Sequence, residues 1–171
     1  FILTLFIRDF IKNMISGASQ ADVALLMVPA GGGWTVAIQR GDHKKQQVQG
    51  QTRQHARLIN LLGCKQLIVG VNKMDADGYS EDKFKEIHDE MKNMLVRVGW
   101  KKAYIEAVPI LPISGWIGDN LLKKSDKMPW WKGKDAKTIS GKAIHVDTLL
   151  QALNDYVELP KRNAAAALRM P

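Results

Sequence analysis

Three short runs of apolar residues stand out along the chain, at 22–28, 65–71 and 107–113. Each is nearly continuous in aliphatic and β-branched side chains, which is the pattern of a strand buried on both faces of a parallel sheet. Between them the apolar positions recur at three- and four-residue steps. Phe84, Ile87, Met91, Met94, Leu95 and Val98 predict a helix, with Ser80 placed to cap its first turn and Gly99 to end its last. Segment 51–62 predicts another, stopped by Gly63. Phe10, Ile11, Met14, Ile15 and Ala18 predict one near the start, closing around Gly17. Val146, Leu149, Leu150, Leu153, Tyr156 and Val157 predict a last one ending before Pro160. Helix and strand therefore alternate along the chain, the order of an α/β doubly wound parallel sheet with helices on both faces through right-handed crossovers.

Two long segments fall outside this alternation. Residues 29–50 carry five glycines and a dense polar stretch, and 115–144 carry Pro129-Trp130-Trp131 among many lysines. Connections of this length are candidate interaction surfaces, or simply surface insertions. From Leu159 onward, Pro160-Lys161-Arg162-Asn163 and four alanines read as a linker, so 1–159 is the expected domain and 160–171 the linker leaving it. The first residue is Phe and the last two are Met170-Pro171, and both ends read as cut.

Composition narrows the function classes. Twenty-five Lys and Arg against seventeen Asp and Glu leave a net charge of +8. This favours a polyanionic partner such as nucleic acid or, less specifically, an anionic surface. No run reaches the ~18 apolar residues of a membrane span, and the apolar 1–7 stretch has neither a basic leader nor a small-residue cleavage site. With Cys64 alone, no internal disulfide can form, and a reducing, cytoplasmic setting is expected.

The sharpest chemical signal is Asn72-Lys73-Met74-Asp75, directly after the apolar run ending at Val71. Ligands of an open parallel sheet sit at the carboxyl ends of its strands, where this tetrapeptide falls. Asn-Lys-x-Asp at that place resembles the guanine-recognition loop of GTP-binding proteins. Guanine presents an N1–H beside an exocyclic amino group, and one ionised carboxylate, Asp75, accepts from both. Adenine lacks that pair and leaves the carboxylate unsatisfied, at about 1–3 kcal/mol. The resemblance implies that the Lys73 stem lies against the base and that Asn72 ties the loop to its neighbours. After the next strand comes Ser114-Gly115-Trp116. Alone it reads as a strand-end turn; behind Asn-Lys-x-Asp it resembles the second guanine loop, whose backbone amides face the base oxygen while a following side chain covers the ring.

Longer blocks make the resemblance specific. Residues 8–15, 17–22, 50–56, 113–121 and 127–131 resemble eukaryotic elongation factor 1-alpha. Segments 32–50 and 58–63 lean towards the elongation-factor-like proteins, and Leu168-Arg169-Met170-Pro171 resembles the start of a following β-barrel domain. The family implies a Ras-like, P-loop-NTPase-type fold, here incomplete. It implies GTP or GDP with Mg²⁺ as cofactors, and aminoacyl-tRNA, the ribosome and a nucleotide exchange factor as partners, with no membrane. The implied activity is GTP hydrolysis coupled to aminoacyl-tRNA delivery to the ribosomal A site.

The 171 residues also depart from that family. They contain no Gly-rich phosphate loop ending in Gly-Lys-Ser or Gly-Lys-Thr, the element whose amides and lysine hold the phosphates and whose hydroxyl holds Mg²⁺. They contain no first switch. Where the family carries Asp-x-Pro-Gly-His, this chain reads Leu3-Thr4-Leu5-Phe6-Ile7, and Ile7 stands in place of the water-positioning histidine. Catalysis of phosphoryl transfer is nearly all positioning and charge stabilisation, so no catalytic residue is assigned and the chain alone is expected to be inactive. Removal of the preceding strand and helix is expected to leave an apolar edge along 22–28, which residues 1–6 could partly cover by pairing into the sheet.

An alternative reading is a non-catalytic RNA- or protein-binding fragment that uses the basic loops. Arg40, His43, Lys44, Lys45, Arg53, His55 and Arg57 form a basic region suited to phosphate backbones, or a solvated face. Trp130 and Trp131 are expected to pack rather than to stack on a base. His43, His55, His88 and His145 show no zinc spacing; His88 is expected on the exposed shoulder of its helix, and Cys64 as a structural thiol.

Overall fold

The computed structural model describes residues 2–5, 11–41 and 50–160. Ile7, His43, Lys44, Lys45 and all but the first residue of the expected linker lie outside them.

Four parallel strands form the sheet in the order β1 (Ile2–Leu5), β2 (Val23–Pro29), β3 (Gln66–Asn72), β4 (Ile110–Pro112). The register runs from Val23 opposite Gln66 to Pro29 opposite Asn72, and from Val69 opposite Ile110 to Val71 opposite Pro112. Six consecutive residues of β3, Gln66 to Val71, are buried. Neighbouring side chains on a strand point to opposite faces, so both faces of this strand are covered, as its unbroken hydrophobicity requires.

The connecting helices are α1 (Ile11–Ala18), α2 (Trp34–Ile38), α3 (Gln51–Leu61), α4 (Glu81–Arg97) and α5 (Lys102–Ala107). In a sheet whose spatial order follows the chain, right-handed crossovers all lie on one face. The α/β parallel sheet with its covering helices is as expected, and the last helical segment buries Ala152 and Tyr156. The Tyr104 hydroxyl, 3.3 Å from that of Tyr156, also accepts the Leu67 amide at 2.9 Å. Helix α4 follows its sequence pattern closely. Ser80 Oγ accepts from Lys83 N, Gly99 takes φ 114° just past the end, and Phe84, Ile87, Met91, Met94 and Leu95 enter the core.

Several boundaries differ from the sequence reading. Residues 2–5 pair with Val23–Leu26, so that stretch of β2 is no open edge. The 107–113 run is mostly not strand, because Ala107 closes α5 and β4 spans only Ile110–Pro112. Val146 is no helical residue; it ends β6 (Ala143–Val146), which pairs antiparallel with β5 (Lys134–Lys137). The helix begins at α6 (Leu149–Gln151), where Thr148 and Gln151 form a reciprocal cap, and widens to a π turn over Ala152–Tyr156.

The two tryptophans pin the 115–144 segment down. Trp130 Nε1 donates to Tyr79 O and Trp131 Nε1 to Asp147 O, both at 2.9 Å, and both rings lie within 5.6 Å of the Phe84 ring. His88 is partly buried against Phe84, not exposed, and burial lowers its proton affinity. Cys64 is buried, and burial pushes its thiol up.

Candidate functional site

Strand β3 delivers Asn72 to the carboxyl edge of the sheet, and the backbone then breaks sharply. Lys73 takes φ 65°, Met74–Asp77 form a single 3₁₀ turn, and Tyr79 takes φ 58°. Asn120, at φ 55°, completes the set of non-glycine residues with positive φ among the described residues. All three flank the same pair of loops. A left-handed conformation costs a residue with a Cβ on the order of 1–3 kcal/mol, so strain gathers where two loops must meet.

The meeting is made by side chains. Asn72 Oδ1 accepts from Lys73 N at 2.7 Å and from Gly115 N at 2.8 Å. Ser114, fully buried, donates its hydroxyl to Asp75 Oδ1 at 2.5 Å and accepts Ile117 N at 3.2 Å. Asp75 is half-buried, Lys73 exposed, and Trp116 is 93% exposed. Thus Asn72, Asp75, Ser114 and Gly115 are brought together, while the side chains of Lys73 and Trp116 stand free on the outside. A Cβ on Gly115 would lie 3.3 Å from Asn72 Oδ1, so glycine here serves contact between the loops. The amides of Ser114, Gly115 and Ile117 are spent within the protein, on Asp119 O, Asn72 Oδ1 and Ser114 Oγ. Among the described residues the Trp116 N–H is left as the free donor of the turn.

A second ring of residues, given no role by the sequence, holds this arrangement. Asp119 O accepts Ser114 N at 3.1 Å. Its carboxylate takes the Tyr79 hydroxyl at 2.7 Å, Ser125 Oγ at 2.8 Å and Lys127 Nζ at 3.3 Å. Burial alone would raise this carboxyl, but those donors outweigh it and hold it below the usual range. Asn120 Nδ2 donates to Pro112 O, and Asn120 Oδ1 accepts Ser125 N. Tyr79 follows the first loop and Asp119 the second, so their bond spans the two. Asp119 and Asn120 sit inside the 113–121 block, but the partner forty residues away leaves no mark in the local pattern.

The expected basic region does not form one exposed face. Arg53 and His55 are each only 5% exposed, and burial lowers the proton affinity of both. Arg40 and Arg57 are exposed.

The model of the elongation factor Tu GTP-binding domain matches residues 7–159. The chain belongs to that family. Elongation factor 1-alpha of Plasmodium falciparum is 47% identical over 165 residues, covering 96% of this chain and 32% of the relative. The Neurospora crassa protein of the same name is 48% identical over 164 residues, covering 96% and 33%. Among solved structures, sup35 complexed with GDP superposes with a TM-score of 0.62 at 31% identity, covering 83% of this chain and 31% of that one. The complex of sup35 with GMPPNP gives 0.63 at the same identity. The chain spans about a third of the length of the curated relatives it matches. No helix among the described residues is long and apolar enough to cross a membrane.

Proposed function

We propose that this chain is the base-recognising part of the GTP-binding domain of a translation elongation GTPase, and that its two loops hold the guanine of GTP or GDP. The observation that carries the reading is the placement of Asp75: half-buried at the end of β3, directed to Ser114, with the two loops tied through Asn72. Its carboxylate takes the guanine N1–H and amino group. The Trp116 N–H is the donor left for the base oxygen. The Lys73 stem lies on one face of the ring, and the Trp116 side chain, free of packing, closes on the other. Adenine offers one donor fewer and leaves the half-buried carboxylate short of a partner.

The same reading gives the parent protein its role: delivery of aminoacyl-tRNA to the ribosomal A site with GTP hydrolysis, in the cytoplasm, with recharging by an exchange factor. Residues 160–171 act as the linker after the domain. The loop hydroxyl that would hold Mg²⁺ beside the phosphates in the family has no counterpart in these 171 positions, and no step is assigned to the ion. The residues that cradle phosphates and position water in the family have no counterpart in these 171 positions, and we predict turnover at the background rate.

Fluorescent-GDP titration with unlabelled GDP and ADP as competitors tests the reading. Binding is expected to be weak, displaced by GDP and not by ADP, and lost in Asp75→Ala. Equal displacement by ADP, or unchanged binding by the variant, overturns it. Phosphate release that Asp75→Ala abolishes would overturn the prediction of inactivity.

A further inference from the structure

Away from the guanine loops, α3 and the end of α4 enclose a cleft of about 560 Å³ lined by Arg40, Arg53, Arg57, Arg97, Val98 and Gly99. Its volume lies in the ~300–1,000 Å³ range of small-molecule sites, but its lining is cationic, not apolar. The walls are fixed by packing. Trp100 Nε1 donates to Ala56 O, Asn60 Nδ2 donates to Val98 O, and Gly99, at φ 114°, turns the chain at the end of α4. Arg53 and Arg57 are one helical turn apart on α3 and face the same space.

Four arginines line one cleft, and the charges of Arg97 and Arg40 act against that of Arg53. Arg53 is 5% exposed, lacks a hydrogen bond or ion pair among the described residues, and feels the charges of Arg97 and Arg40 against that of Glu90 alone. No Arg53 nitrogen is a fully buried atom without a partner, so its charge opens to the cleft, and guanidinium keeps that charge under all ordinary conditions. The arrangement makes sense when an anion occupies the cleft. Guanidinium forks match the oxygens of phosphate in two-point hydrogen bonds. The open cleft offers several forks at once, and the chain as a whole, at +8, draws polyanions.

We propose that the Arg40, Arg53, Arg57 and Arg97 cleft is a phosphate-binding site, distinct from the guanine loops, which share none of its lining residues. The ligand is a phosphate-bearing molecule, either a small polyphosphate or the backbone of a nucleic acid strand; the chemistry is the same and the test separates the sources.

The experiment uses the whole chain, with inorganic pyrophosphate and a ten-nucleotide oligouridylate as probes and chloride at matched ionic strength as the reference. Pyrophosphate is expected to raise the melting temperature above the chloride reference. Arg57→Gln and Arg97→Gln, both at exposed positions, weaken its binding about tenfold each, while Lys137→Gln, the same charge change outside the cleft, leaves it unchanged. In ligand-free buffer of low salt, the two arginine variants melt higher than the parent because repulsion is relieved, a sign opposite to that of lost structural contacts. If oligouridylate binding falls in parallel, with a shallower salt slope, the phosphates are those of RNA. If only pyrophosphate binding falls, the ligand is a small polyphosphate. Stabilisation no greater than that of chloride, binding indifferent to both arginine variants, or tighter binding of oligoglutamate than of either probe overturns the proposal.

Discussion

The guanine loops and the arginine cleft are built on opposite terms. In the loops the polar atoms that join them are paired: Asn72 serves two amides, Ser114 both donates and accepts, and Asp119 gathers three side-chain donors. In the cleft four arginines share the lining, and among the described residues Glu90 is the carboxylate that acts on Arg53. A satisfied network fixes geometry before the ligand arrives, so it can discriminate between two purines of similar size. An unsatisfied charge cluster stores a demand for counter-charge, and it selects by charge and fork geometry more than by shape.

The largest expected effect on this contrast comes from Asp75→Asn. The amide offers a donor where the carboxylate offered acceptors, so preference shifts from guanine to xanthine, whose ring carries a carbonyl at that position. The ratio of GDP to XDP affinity in competition titrations is expected to fall by about a hundredfold, with about 1–3 kcal/mol for each mismatched group. An unchanged ratio would mean that Asp75 does not touch the base.

Next in size, Asn72→Ala removes an oxygen that ties the loops beside the Ser114–Asp75 bond, leaving the Lys73 and Gly115 amides to solvent. We expect about 1–3 kcal/mol lower stability in urea unfolding, with guanine binding lost along with the tie. Loss of binding with stability untouched would place Asn72 on the nucleotide instead.

Tyr79→Phe is a smaller break. It deletes the hydrogen bond donated to Asp119 and the longer one accepted from Lys127 Nζ, the first worth about 1.5–3 kcal/mol when buried and at the low end for this partly exposed pair. Nucleotide dissociation is expected to quicken several-fold while guanine-over-adenine preference persists, because the loops loosen without losing their donors and acceptors. A changed preference with an unchanged dissociation rate would contradict the bridging role.

The smallest effect separates the interior of α3 from its charged rim. Burial lowers the proton affinity of His55 from the ordinary 6.5. As pH falls through that ordinary value the unfolded chain takes up the proton more readily than the folded chain, so stability declines on the acid side. Melting curves at pH 7.5 and 5.5 are expected to differ less in His55→Gln than in the parent. The same difference in both would show that the histidine is protonated equally in the two states.

Much of the frame is written in local pattern. The apolar runs locate β2 and β3 to within a residue, and the three- and four-step spacing with Ser80 and Gly99 locates α4. Asn-Lys-x-Asp is legible because strand, loop and ligand chemistry fall within a few consecutive residues. Helix α2 and the β5–β6 ribbon are not, since each is too short for a periodic signal and depends on what it packs against. Val146 misleads for a related reason: its spacing suits a helix, yet it pairs with Lys134 on β5.

The amino-acid sequence by itself determined which segments are apolar on which faces, where helices can start and stop, and which carboxylate stands at the end of β3, because these follow from side chains near one another along the chain. Packing in three dimensions brings Tyr79 to Asp119, buries Arg53 but not Arg57, and sets Arg40 and Arg97 in one cleft with them. Those outcomes depend on the distance between groups remote in sequence, and electrostatics and hydrogen bonding act over that distance in space.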